Sequence, residues 1–189
     1  PLGHTWYAVF LSTQGRFEQG IQQARIAELL DPLSISIHLV VGRCLFWARR
    51  FDEALTSIMA TLEMDPANAL TQLWLARTYL ATGRPREAAA ILERSGETVG
   101  RSPYLLGLLG GAYAALGRRE EVLRLLEEIR GKTANVYFRA GLLFDLGETE
   151  ASLDCFEEAL KSDGGIAFVL GVDALYDGLR DDPRFQAIL

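Results

Sequence analysis

The sequence predicts an all-α protein: an α-solenoid of five stacked helix–turn–helix units closed by a C-terminal capping segment. Three observations carry that prediction. The stretch 49–66, RRFDEALTSIMATLEMDP, copies the ending of 15–32, and the pairs Asp31-Pro32 and Asp65-Pro66 stand 34 residues apart. Small and large apolar residues recur at fixed offsets within that period. Five of the six prolines fall at predicted helix ends. Repetition at roughly 20–50 residues marks units that cannot bury an apolar face alone and do so by stacking.

A 34-residue frame laid from residue 1 gives units 1–34, 35–68 and 69–102, a shortened fourth unit 103–132, and a fifth, 133–166, starting at Thr133. Residues 167–189 form the capping segment. Each unit holds a helix A in its first half and a helix B in its second. The A helices are expected over 2–14, 36–48, 69–82, 103–116 and 134–146.

The offsets have a mechanical meaning. The eighth place is always small: Ala8, Gly42, Ala76, Gly110 and Ala140. Small residues let paired helices approach to about 8–10 Å. The eleventh is large: Leu11, Leu45, Tyr79, Tyr113 and Leu143. The twenty-fourth (Ala24, Ile58, Leu92, Leu126, Phe156) and twenty-seventh (Ala27, Thr61, Ser95, Ile129, Ala159) belong to the buried face of helix B. The fifteenth is Gly15, Arg49, Gly83, Gly117 and Gly147, at the turn between helices. Glycine there takes the left-handed C-cap that other residues adopt at a cost.

The prolines agree with this division. Pro32 and Pro66 stop helix B, because the residue before proline leaves the α region. Pro85, Pro103 and Pro183 suit a first helical turn, where no N–H is missed. Ser102 and Asp182 can cap the helices that follow them.

Composition excludes several function classes. With 49 % apolar and 23 % charged residues the chain is not a disordered one. The longest uncharged run, 102–117, is too short for a membrane span, which takes about 20 apolar residues. A net charge of −6 argues against direct nucleic-acid binding, which demands a basic face. Cys44 and Cys155 make neither a disulfide framework nor a metal site, and read as core thiols in a reduced, cytoplasmic setting. The chain starts at Pro1 rather than Met, so it reads as part of a longer polypeptide. Pro1-Leu2-Gly3 would be the scar of a protease site.

Enzymatic constellations are absent from the pattern. His4 and His38 have no ligand spacing, and there is no nucleophile elbow or phosphate loop. Gly107, Gly110 and Gly111 lie inside a predicted A helix, where close packing accounts for them. Paired acids such as Asp52-Glu53 and Glu127-Glu128 fall on B helices, as surface charge. No enzyme, cofactor or metal is expected.

These residues resemble the tetratricopeptide repeat, a helix–turn–helix unit with small residues at places 8, 20 and 27 and proline at 32. The resemblance covers about 1–166. It is strongest through Gly42, Ala54 and Pro66, then Ala76, Tyr79, Gly83 and Ala88, and weaker at Val122, Arg139 and Ser152. It implies a right-handed solenoid. The tail, VDALYDGLRDDPRF over 172–185, resembles the ending of repeat regions joined to bacterial adenylate cyclases, serine/threonine kinases and winged-helix transcription regulators. Phe185, Ile188 and Leu189 share one helix face and are expected to cover the apolar edge of the last unit, as a repeat stack needs.

The A helices carry almost no charge. Across 67 residues they hold Arg43, Arg77, Arg139 and Asp145, against about 15 charges at the chain-wide share. The resemblance implies that A helices line a concave groove. Carried over by position, the partner-binding residues would be Val9, Leu39, Arg43, Phe46, Trp47, Leu73, Trp74, Arg77, Tyr104, Tyr137 and Phe144. One explanation of the low charge is that A helices touch more neighbours. The sharper one is an aromatic groove with an arginine ladder, since Arg43 and Arg77 hold one place in adjacent units. Aromatics and Arg are typical interface anchors.

The resemblance thus implies a non-enzymatic scaffold for protein or peptide partners. It would be the interaction or regulatory module of a larger bacterial signalling or transcription-regulatory protein, taking an apolar segment with acidic groups. The alternative is a sensor whose groove encloses a small molecule or signalling peptide. No membrane partner is expected, and self-association through the groove or an uncapped edge stays open.

Overall fold

The computed structural model describes residues 1–130, 136–162 and 166–189, and among them every regular element is a helix. Five antiparallel pairs follow one another: α1 (Leu2–Thr13) with α2 (Phe17–Leu30), α3 (Ile35–Trp47) with α4 (Phe51–Met64), α5 (Ala69–Ala81) with α6 (Pro85–Val99), α7 (Pro103–Ala115) with α8 (Arg119–Glu128), and α9 (Val136–Asp145) with α10 (Thr149–Ser162). The expected start of the fifth unit, Thr133, lies outside the described residues. Contacts join the helices of a pair, each second helix to the next first helix, and successive first helices to one another. That nearest-neighbour pattern is what makes a stack of pairs a solenoid.

The turn inside each pair is built the same way. The residue at the fifteenth place has positive φ in all five: Gly15 (74°), Arg49 (61°), Gly83 (70°), Gly117 (74°) and Gly147 (81°). Two hydrogen bonds close each turn. In the first, Gly15 N–H donates to Ser12 O (3.1 Å) and Arg16 N–H to Leu11 O (2.9 Å). The same pair recurs down to Glu148 N–H on Leu143 O (2.9 Å). The orphan carbonyls at the end of helix A are thereby satisfied. Four turns are followed by an arginine that reaches one helical turn ahead: Arg16 to Gln19 (2.6 Å), Arg50 to Glu53 (2.7 Å), Arg84 to Glu87 (2.9 Å) and Arg118 to Glu121 (3.0 Å).

The seam between paired helices is as tight as the eighth-place pattern requires. Ala8, Ala76 and Ala140 are fully buried. A Cβ on Gly42 would lie 2.5 Å from Ile58 Cγ1 on its paired helix α4, and one on Gly110 would overlap the Leu142 side chain of α9, the first helix of the next pair. One detail departs from the frame. In α8 the deeply buried residue is Leu125, and Leu126 packs only at the margin. Val122, Leu125 and Ile129 form its inner face, and Val122 is bulkier than the Gly20, Ala54 and Ala88 of the earlier units.

Helix ends follow the side-chain chemistry. Ser102 Oγ accepts from Leu105 N–H (3.2 Å), and Asp182 Oδ1 from Arg184 N–H (2.8 Å) and Phe185 N–H (3.3 Å). Pro85, Pro103 and Pro183 are each a first helical residue.

The tail departs from the linear stack. A short helix α11 (Ile166–Leu170) leads to a 3-10 turn (Ala174–Leu179) and then α12 (Pro183–Ile188). Helix α12 rests on α10, with Phe185 and Ile188 buried in one cluster with Leu153 and Phe156, while Leu189 is half exposed. The 3-10 turn instead contacts α5, three helix pairs back towards the N-terminus.

Candidate functional site: the first helices and the tail packed against them

The first helices of the pairs bring aromatic rings and two arginines together. Phe46 and Trp47 of α3 meet Trp74 of α5 edge-on, with ring centroids 5.6 and 5.8 Å apart. Tyr104 of α7 lies 5.9 Å from Phe138 of α9, which meets Tyr137 at 5.3 Å. The guanidinium of Arg43 sits 5.0 Å from both Trp47 and Trp74. That of Arg77 sits 5.3 Å from Trp74 and 5.8 Å from both Phe46 and Tyr104. Cation–π contact holds both charges flat against the wall.

The two arginines differ in their partners. Arg77 is 5 % exposed and its ion pair is with Asp173, which is 0 % exposed and comes from the tail. Arg43, one unit earlier, is half-buried and makes no hydrogen bond or ion pair among the described residues; its Nε is buried without an acceptor. Burial lowers its pKa, and neighbouring Arg77 pushes in the same direction.

The tail packs back onto units two, three and five residue by residue. Asp173 takes the Arg77 charge and also accepts from Leu175 N–H (3.1 Å). Arg49, the one non-glycine with positive φ among the described residues, donates to Val172 O (2.8 Å) and Asp177 Oδ1 (2.6 Å). Tyr176 enters a ring cluster with Phe156 (5.1 Å), Phe144 (6.0 Å) and Tyr137 (6.1 Å). Gly141 makes room for it, since a Cβ there would lie 2.7 Å from the Tyr176 hydroxyl. Gly178 passes over Phe144, where a Cβ would lie 3.1 Å from the ring. Arg180 staples the segment to itself through Asp177 (2.6 Å) and Gly171 O (2.7 Å).

A cavity of about 170 Å³ remains between the tail and helices α5, α7 and α9. Arg77, Tyr104, Tyr137, Asp145 and Tyr176 line it, with Gly107, Gly111 and Gly141 as bare backbone. Burial raises the Asp145 pKa to about 7.

The residues expected to bind a partner therefore occupy different situations. Leu39, Phe46, Trp47, Leu73 and Trp74 are buried in the packing between first helices. Val9, Arg43, Tyr104, Tyr137 and Phe144 are half-buried. Tyr137 and Phe144 already touch the tail. Of the other two charges on first helices, Asp145 lines the cavity and Arg139 turns towards α10, donating to Cys155 Sγ (3.2 Å) and Glu158 (3.1 Å). His38 bridges Glu28 (2.8 Å) and Pro32 O (2.7 Å) at the junction of α2 and α3. Sequence reasoning takes the tail as an end cap and misses that Asp173, Tyr176 and Asp177 reach back to Arg77, Tyr137 and Arg49. The available signal was the pairing of a lone arginine ladder with a tail carrying two acids around an aromatic. Cys44 and Cys155 are buried free thiols. Among the described residues no helix is long and apolar enough to cross a membrane, and no group of three or more His, Cys, Asp or Glu could hold a metal.

Comparison with known proteins agrees with the architecture. Sequence profiles of the tetratricopeptide repeat match residues 48–104, 103–128 and 134–165, together more than half the chain. A thermophilic TPR protein of Thermus thermophilus superposes with a TM-score of 0.69 at 16 % identity, over 93 % of this chain and 98 % of that one. A Podosopora anserina protein of nearly identical TPR-like repeats superposes with a TM-score of 0.61 at 16 % identity, over 85 % and 95 %. The transcriptional regulator HilA of Salmonella typhimurium and that of Salmonella typhi are each 29 % identical over 142 residues, which is 72 % of this chain. The matched region spans about a quarter of the length of those curated relatives (25 %). By the repeated pair, its turn and the profiles that match it, this chain belongs to the tetratricopeptide-repeat family.

Proposed function

We propose that the chain is the protein-recognition module of a larger bacterial signalling or transcription-regulatory protein. Its groove binds an extended segment that offers a carboxylate beside an aromatic or apolar side chain. Repeats of this family are interaction scaffolds in general, and partial likeness to a transcriptional regulator supports the regulatory setting.

The observation that carries the reading is the unequal arginine ladder. Arg77 has its carboxylate in Asp173, and Arg43 sits between Trp47 and Trp74 with no carboxylate among the described residues. The tail supplies the chemistry of a groove ligand, an acid three residues before a tyrosine. A partner carboxylate on Arg43 would add a charge-assisted hydrogen bond worth roughly 1.5–3 kcal/mol, about tenfold to a hundredfold in affinity.

The experiment is a selection of random 12-residue peptides against the full chain and against Arg43→Glu, with circular dichroism showing both folded. Enrichment of acidic-aromatic peptides that lose at least tenfold affinity on Arg43→Glu supports the reading. Peptides without acids, or ones bound equally by both proteins, overturn it.

A further inference from the structure

We infer that the cavity between the tail and the groove is a binding site for a small organic cation, a monoamine of benzylamine size. This does not rest on the partner reading above. An apolar cavity of ~150 Å³ holds a benzene ring. The one here is of that order, about 170 Å³, and is walled by tyrosines with a single acid.

The acid is Asp145. It has no hydrogen bond or ion pair among the described residues, although it faces the interior. It is the last residue of α9, where the negative end of the helix dipole opposes a second negative charge. The titratable groups around the cavity are Arg77 from α5, Tyr104 from α7, Tyr137 from α9 and Tyr176 from the tail. Arg77 is committed to Asp173, so none of them neutralises Asp145. A half-buried carboxylate without a countercharge is disfavoured, and burial raises its pKa. A bound cation would supply the countercharge directly.

The other walls suit the same ligand. Tyr104, Tyr137 and Tyr176 line the cavity, and aromatic rings attract cations and pack on an aryl group. Gly107 and Gly111, one helical turn apart on α7, bring bare backbone to the cavity, and a Cβ on Gly111 would lie 3.3 Å from the Asp145 carboxylate. A single carboxylate is too few donors for a divalent metal, which takes six or more oxygens. Because Leu175 and Tyr176 form one wall, a molecule seated there touches tail and groove together and would stabilise the docked tail by mass action.

The test uses the full chain, with benzylamine as the probe and benzyl alcohol and benzoate as neutral and anionic matches of equal size. Calorimetry and thermal shift at pH 7 are expected to show saturable benzylamine binding, at least tenfold tighter than benzyl alcohol, and none for benzoate. Asp145→Asn should lose that tenfold preference. On the unaltered protein, titrations in buffers of different ionisation enthalpy should show release of roughly half a proton, as Asp145 ionises on meeting the cation. Absence of benzylamine binding, equal affinity for the alcohol, no proton release, or an unchanged preference in Asp145→Asn would each overturn the assignment.

Discussion

Docking of the tail should depend on one ion pair, Arg77 with Asp173, whose partners are 96 residues apart in sequence and almost wholly buried. Breaking a buried pair by removing one member costs about 3–5 kcal/mol, because the survivor stays buried and uncompensated. Asp173→Asn keeps the side chain's bond to Leu175 N–H but strands the Arg77 charge. Arg77→Met strands the Asp173 carboxylate. The double variant strands neither, so it should lose less than the sum of the two by at least about 1.5 kcal/mol. The observed cost is bounded by the free energy of tail docking, since the tail can leave the groove without unfolding the stack. Urea denaturation gives the cycle, and hydrogen exchange over 172–180 gives the local event. Each single variant should speed exchange in that segment while leaving α1 to α4 protected. Additive single effects within about 0.5 kcal/mol, or unchanged exchange over 172–180, would refute the reasoning.

Two further outcomes follow from the packing and from burial. Gly110→Ala places a methyl against the fully buried Leu142. It should cost about 1–3 kcal/mol despite the better helix propensity of alanine, and a thermal melt with no loss of midpoint would contradict the tight seam. Asp145 has an ordinary pKa of 3.8 and one of about 7 in the folded chain. Between those values the folded state binds more protons than the unfolded state. Its contribution is therefore complete below about pH 4, declines as pH rises, and levels off above pH 7. Asp145→Asn should remove this decline, on the order of 2–4 kcal/mol between pH 4 and 8. Urea midpoints that fall equally in both proteins would exclude Asp145 as the source.

Much of the architecture is legible because it is local and repeated. The spacing of Asp31-Pro32 and Asp65-Pro66, the small eighth residue and the fifteenth-place glycine each state the same unit, and all five turns take positive φ as that pattern requires. Arg49 shows the limit of such reading. As an isolated residue it is a poor choice for a left-handed turn, at a cost of about 1 kcal/mol. Its reason lies 123 residues away, at Val172 O. The low charge of the first helices is also legible. Phe46, Trp47 and Trp74 are buried in inter-unit packing, and Arg43, Tyr104 and Tyr137 are half-buried.

The tail divides the two kinds of information most sharply. Its cap residues are readable from short-range chemistry: Asp182 before Pro183, then Phe185 and Ile188 on one face. Where residues 172–180 lie is not. A periodic pattern specifies contacts between neighbours, since each unit meets only the next. A segment that turns back across the stack obeys no period, and its partners at Arg49, Arg77, Gly141 and Phe144 come from three different units. The sequence alone determined the repeated pair, its turns and its stacking, because these are set within one period of the chain. Only the tertiary structure decided that the tail's acid and tyrosine pack against the first helices, that Arg43 makes no ion pair among the described residues, and that Asp145 lines a cavity, because those depend on which units the returning tail meets.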